Sequence, residues 1–142
     1  MTSGKVLVGI FEVGKDPRTK RNIYMTQQCK KEFDSVGSAE TRQFLRSIMK
    51  KFSQAISLQD EPQKKKFKRL GMQKTSGQCG DRMTVEFKRH VVRCYGCEDF
   101  INGNQSIILT MTSDRGKGGK GGKQSNDIET AAKRYGSWFD GK

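Results

Sequence analysis

Between Glu40 and Ile56 the apolar side chains fall at Phe44, Leu45, Ile48, Met49, Phe52, Ala55 and Ile56. Spacings of three and four put them on one stripe of an α-helix, and such a stripe must be buried against something. The flanking sequence supplies what it needs. Lys5-Val-Leu-Val-Gly-Ile-Phe-Glu-Val13 is rich in β-branched residues and has strand length, and Asn22-Ile-Tyr-Met25 is a second short extended piece after the turn at Gly14-Lys-Asp-Pro17. Ser106-Ile-Ile-Leu-Thr-Met-Thr112 reads as a buried strand behind the hairpin signal Asn102-Gly103. A helix with one apolar stripe amid such strands predicts a helix packed on a sheet.

The remaining segments complete that outline. Gln27 to Phe33 reads as a short helix, and Asp34-Ser-Val-Gly-Ser38 as a break carrying a possible N-cap serine. Arg42, Arg46 and Lys50 fall off the apolar stripe and give the long helix a basic outer face. Residues 59–82 read as a polar connection. Met83 to Tyr95 alternates well enough for one long strand, or for two joined at a bend. Near the end, Asn126-Asp-Ile-Glu129 resembles a capping box, and Ile128, Ala131, Ala132 and Tyr135 form a short apolar stripe, with Trp138 and Phe139 closing the core. The expected fold is α+β: a small, mostly antiparallel sheet with an N-terminal helical pair and a C-terminal helix, all packed on one face. At 142 residues the chain makes a single domain, 1–142.

Charge points to the partner. With 28 Lys+Arg against 15 Asp+Glu the net charge is +13, which suits a polyanion, most simply nucleic acid. An anionic membrane or an acidic protein would also be attracted. No apolar run approaches the roughly 18 residues of a membrane span, and the first residues carry no signal-peptide pattern, so a soluble, cytoplasmic protein is expected. Cys94-Tyr-Gly-Cys97 has the spacing of half a zinc knuckle. No second pair completes it, since Cys29 and Cys79 stand alone and His90 is the only histidine. Reduced, buried thiols are the expectation, with no metal and no cofactor.

Residues 113–127, SDRGKGGKGGKQSND, thread Arg115, Lys117, Lys120 and Lys123 through five glycines. A nucleotide P-loop requires GxxxxGK[ST], and these glycines and lysines are out of that register. A free tail is excluded by the amphipathic stripe and the aromatic residues that follow. What remains is a basic loop at 114–124 joining the last strand to the last helix. Residues 116–123 lack apolar anchors and repel one another, so they are expected to be mobile in the free protein.

The order of parts resembles the RelE/ParE superfamily of bacterial toxins, nearest its HigB-like members. The segments that carry the likeness are Thr26-Gln-Gln-Cys-Lys-Lys-Glu-Phe-Asp-Ser-Val, Glu40-Thr-Arg-Gln-Phe-Leu-Arg-Ser-Ile-Met-Lys-Lys-Phe, Phe67-Lys-Arg-Leu-Gly, Val85-Glu-Phe-Lys-Arg, Val92-Arg-Cys-Tyr, Ile107-Ile-Leu-Thr-Met and Asp127-Ile-Glu-Thr-Ala-Ala-Lys-Arg. They span roughly residues 22 to 135, and their order is more specific than any one of them. This chain departs from the family in its expanded, glycine-filled loop and in its long segments at 71–82 and 97–105. The resemblance implies an endoribonuclease that cuts messenger RNA on the ribosome without a metal and is neutralised by an antitoxin protein. ParE-like relatives instead inhibit DNA gyrase, and a non-catalytic RNA- or ribosome-binding protein is a further alternative.

Cleavage of that kind proceeds by attack of the ribose 2′-hydroxyl on the adjacent phosphate. It needs a proton acceptor, a proton donor for the leaving oxygen, and cations for the charge that builds on phosphorus. The candidates are Arg89, His90, Arg93 and Arg115. On one straight strand Arg89 and Arg93 would share a face, with His90 on the other. Lys64, Lys66, Lys68, Arg69, Lys117, Lys120 and Lys123 are the candidates for holding phosphates. Tyr95 and Tyr135 are aromatic candidates for stacking or acid catalysis, with Tyr135 better placed as core.

Overall fold

A computed structural model describes residues 6–54, 66–114 and 121–141, with the side chains of 121–125 left out. The chain runs β1 (Leu7–Phe11), β2 (Asn22–Thr26), α1 (Gln27–Ser35), α2 (Ala39–Gln54), β3 (Phe67–Gln73), β4 (Arg82–Arg89), β5 (Val92–Ile101), β6 (Asn104–Asp114) and α3 (Gly121–Asp140). The strands form one six-stranded sheet in the order β1-β2-β6-β5-β4-β3. Every neighbouring pair is antiparallel except β2 with β6. The fold is thus α+β with a mostly antiparallel open sheet and three described helices. None of these helices is long and apolar enough to cross a membrane.

The helices are placed differently from the expectation. The helical pair lies between β2 and β3, after the first two strands, and α3 covers the opposite face of the sheet from α1 and α2. Alternation along the strands shows why. Ile23, Met25, Val85, Phe87, Val92, Cys94, Ile107 and Leu109 point to one face and pack with Cys29 and Phe33 of α1 and with Leu45, Ile48, Met49 and Phe52 of α2. Tyr24, Cys97 and Ile108 point to the other and meet Tyr135, Trp138 and Phe139 of α3. Both faces of β6 are therefore covered, which accounts for its long buried run.

Local chemistry sets the boundaries. The Thr26 hydroxyl accepts the Cys29 amide at the start of α1, and the Ser38 hydroxyl accepts the Thr41 amide at the start of α2. Arg42, expected on a solvated face, donates to the carbonyls of Val36 and Gly37 and so ties off the α1–α2 turn. β2 pairs with β6 only as far as Met25 opposite Leu109. Beyond that point α1 lies against β6, where Glu32 accepts the Thr112 amide and binds Arg134 of α3, which also donates to the Thr110 carbonyl. One ion pair thus satisfies strand-edge groups that β2 leaves open and links α1 to α3.

Two further expectations are corrected, and one open alternative is decided. The connection at 59–82 contains an edge strand, β3. It is anchored by Phe67, whose ring lies 4.4 Å from that of Phe52 and 4.9 Å from that of Phe87. Of the two readings of 83–95, two strands joined at a bend is the one found: they form a hairpin whose turn is His90-Val91. Helix α3 begins at Gly121, five residues ahead of the expected cap Asn126, so the backbone at 121–124 is helical where a loop was expected. Helix propagation from the packed turns around Ala131 and Tyr135 outweighs the cap at Asn126 and the low helix propensity of Gly121 and Gly122. The remaining loop residues, 115–120, lie outside the described residues, as does most of the segment expected to be mobile.

Cys94 and Cys97 belong to the two different cores, because an odd spacing on a strand sends them to opposite faces. They cannot share a metal as a knuckle would. Among the described residues no group of three or more His, Cys, Asp or Glu is placed to hold an ion. All four thiols are free, and only Cys79 reaches the surface in part. Burial pushes Cys94 and Cys97 up to about 12, and Cys29 well above the ordinary thiol range. At pH 8 a thiol reagent is expected to modify one equivalent of four quickly, at Cys79, and the rest only on unfolding. A peptide map of the labelled native protein showing fast reaction at Cys29, Cys94 or Cys97 would contradict this packing. The stability carried by the protonated thiols is complete below the ordinary thiol value and is lost as pH climbs from there toward about 12.

Candidate nucleic-acid site at the hairpin tip

The β4–β5 turn gathers cations that the sequence spreads over three segments. Lys66, Lys88, Arg89, His90 and Arg93 line one cavity of about 170 Å³. Lys66 arrives through the start of β3, where its carbonyl accepts the Lys88 amide at 2.9 Å. In the hairpin register Lys88 lies opposite Arg93, and Arg89 opposite Val92. Arg93 therefore shares a face with Lys88, on the α3 side, while Arg89 points to the α2 side. This replaces the straight-strand expectation that Arg89 and Arg93 share a face. The hairpin ends between them, so the two guanidinium groups reach one cavity from either side of the sheet.

Each group is held differently. Arg93 makes an ion pair at 3.3 Å with Glu86, whose side chain is 1% exposed, and donates to the His90 carbonyl. It is a cation fixed on a buried carboxylate. Arg89 has its guanidinium carbon 3.8 Å from the centre of the Phe44 ring, and the Lys66 ammonium is 4.4 Å from the same ring. His90 is exposed at the tip with φ of 56°, a left-handed conformation uncommon outside glycine and costing about 1 kcal/mol. Backbone strain held at a polar tip is a frequent mark of a working site.

Asp114 pairs with Val92 at the end of β6, so the chain leaves the described part of the sheet beside this turn. Arg115, Lys117 and Lys120 follow it. With Lys64 and the side chain of Lys123, they lie outside the described residues. Lys68 and Arg69 do not line the cavity. Lys68 sits two residues along the strand from Lys66, opposite Glu86, and Arg69 is bound to Glu98 at 2.6 Å. Lys88 is the member that sequence reasoning missed. Its signal was its place in Phe87-Lys-Arg-His, which a hairpin ending at His90 brings to the tip.

The aromatic candidates are buried. Tyr95 is inaccessible, and Tyr135 donates to Asp99 beside Arg82. Burial and that hydrogen bond push the Tyr135 phenol up, which suits a structural clasp between α3 and β5. A larger cavity, about 640 Å³, lies between α1 and α3 and is lined in part by Lys31, Lys133 and Arg134. Its Arg134 is taken up by Glu32, and no imidazole joins it. The hairpin tip is the better candidate because it combines an exposed imidazole with cations converging from both sides of the sheet.

The chain matches no protein-family model, no curated protein and no solved structure.

Proposed function

We propose that this chain is an RNA-cleaving toxin of the RelE/ParE type, nearest the HigB-like members, which cuts messenger RNA by attack of the 2′-hydroxyl on the scissile phosphate. The observation that carries this reading is the convergence of Arg89, His90 and Arg93 with Lys66 and Lys88 around one cavity. A phosphodiester seated there relieves the mutual repulsion of the cations, and its charge is neutralised as it grows in the transition state. The 2′-oxygen forms a bond to phosphorus and the bond to the 5′-oxygen breaks. One proton leaves the hydroxyl and one reaches the departing oxygen. The exposed imidazole of His90 serves one of those transfers, and Arg89 and Arg93, with Arg115, hold the equatorial oxygens. The resemblance in element order supports the same reading, with the translating ribosome as the place of action and an acidic antitoxin as the partner.

Induced expression should produce new transcript 5′ ends within minutes and leave plasmid supercoiling unchanged. Products of the purified protein should carry a 2′,3′-cyclic phosphate and a 5′-hydroxyl, and chelator should leave the rate unchanged. Unaltered RNA ends together with altered plasmid topology would transfer the chain to the gyrase-inhibiting reading. RNA that is bound but never cut would leave a binding protein.

A further inference from the structure

Arg89 and His90 line a second cavity, about 320 Å³, on the α2 side of the hairpin, and its other walls come from helix α2. That volume lies at the small end of small-ligand sites, about 300–1,000 Å³. Glu40, Phe44 and Ser47 stand at helical spacings of four and three, and Gln43 stands four before Ser47, so one helix face presents a carboxylate, an amide and a hydroxyl beside an aromatic ring. Among the described residues Glu40 makes no ion pair, although it stands at the edge of the cation cluster. Arg89 rests on Phe44, which holds the guanidinium plane in place, and it borders both cavities.

We infer that this cavity is a nucleobase subsite, selective for guanine, which reads the base next to the phosphate held at the hairpin tip. The inference rests on the RNA reading above. Unstacked bases in single-stranded RNA are bound by stacking on aromatic or guanidinium planes and by hydrogen bonds to their Watson–Crick edges. Arg89 supplies the plane. The chemistry of the edge selects the base. A carboxylate only accepts, and it is best matched by two adjacent donors. Guanine offers them in N1–H and its exocyclic amine. Cytosine and adenine each set a ring nitrogen acceptor beside the amine, and uracil flanks its one N–H with two carbonyls. Glu40 therefore favours guanine and is repelled by the acceptors of the others, while Gln43 can donate to the guanine carbonyl. Lys66, Lys88 and Arg93 hold the neighbouring phosphate in the adjoining cavity, which the N–H edge of Arg89 also borders.

The test is the affinity of the full chain for fluorescent single-stranded hexamers at fixed salt, comparing all-uridine RNA with hexamers that carry one guanine, adenine or cytosine. The guanine hexamer should bind about tenfold tighter or more. Glu40→Gln should erase that preference, with all-uridine binding no weaker than in the wild type because the repelling charge is gone, and Gln43→Ala should weaken the preference in part. Glu40 is exposed, so these variants keep their fold. Equal affinity for all four hexamers would overturn the guanine subsite and leave the RNA reading standing. A guanine preference that survives Glu40→Gln would overturn the role assigned to α2. Failure to bind any hexamer would sink the RNA reading itself.

Discussion

Replacing Arg89 with alanine is expected to lower RNA cleavage by about two orders of magnitude or more, with little change in fold stability. One charge-assisted contact made in the transition state is worth roughly that much. Arg89 is the cleanest probe of the site, because its described partner is the Phe44 ring, and losing an exposed cation–π contact costs about 0.5–1 kcal/mol. Arg89→Lys should recover part of the rate, since charge returns without the flat, stacked geometry. His90→Asn removes the imidazole while tolerating the left-handed backbone at that position, and it should also slow cleavage without unfolding the protein. Arg93→Ala is a poorer probe of chemistry. It removes one charged partner of Glu86, which is 1% exposed, and it should lower stability by roughly 2 kcal/mol besides lowering activity. Single-turnover rates on end-labelled RNA, read beside urea midpoints, separate these effects. If Arg89→Ala and His90→Asn cut at the wild-type rate, the hairpin tip is not the site, and the cavity between α1 and α3 becomes the next place to look.

Much of this arrangement was legible in the sequence where a single element carries its own signal. The stripe from Phe44 to Phe52 specifies helix α2 because helical period and burial coincide there. Asn102-Gly103 specifies its turn because both residues take positive φ, 53° and 81°, as a type I′ hairpin requires. The turn at His90-Val91 was not legible, because it contains no glycine, proline or asparagine to announce it. The alternation from Met83 to Tyr95 therefore fits one strand as well as two, and nothing in it says where a bend would fall. Strand β3 was hidden for another reason. An edge strand with one buried anchor and solvated lysines has the composition of a loop. Nor does periodicity say which face of a sheet a helix covers. That depends on the chain path, which sent α3 across to the side opposite α2. The candidate site suffered from the same gap. Arg89, His90 and Arg93 could be named from their chemistry, whereas Lys88 joins only once the hairpin is known. Glu86, inside the sheet beneath Arg93, gave no sign in sequence that it would be buried.

Helix α3 is seated by an approach so close that one methyl group should dislodge it. A Cβ on Gly136 would stand 2.2 Å from the Thr75 carbonyl oxygen and 3.0 Å from the Gly77 nitrogen. The obstacle is backbone, and the segment that supplies it has little freedom to yield. Thr75 is 1% exposed and donates to the Gly80 carbonyl, the Gly77 amide donates back to the Thr75 hydroxyl, and the Gln78 amide is bound by Asp140 of α3 itself. Two effects of opposite sign then compete in Gly136→Ala. Helix propensity favours alanine by about 1 kcal/mol. Overpacking against a fixed backbone costs about 1–3 kcal/mol and sometimes more, and at 2.2 Å the upper end applies. The net expectation is a loss of about 2 kcal/mol or more, read as a lower urea midpoint. Ser137→Ala, one residue on and exposed, should be neutral or slightly stabilising and serves as the control. The consequences should stay on the α3 side. Tyr135 would lose its grip on Asp99, whereas Arg89 and Phe44 lie on the α2 side of the sheet, so the guanine preference of the folded fraction should persist. A Gly136→Ala protein as stable as the wild type would show that the loop at Thr75 to Gly80 does not bear on α3 as described.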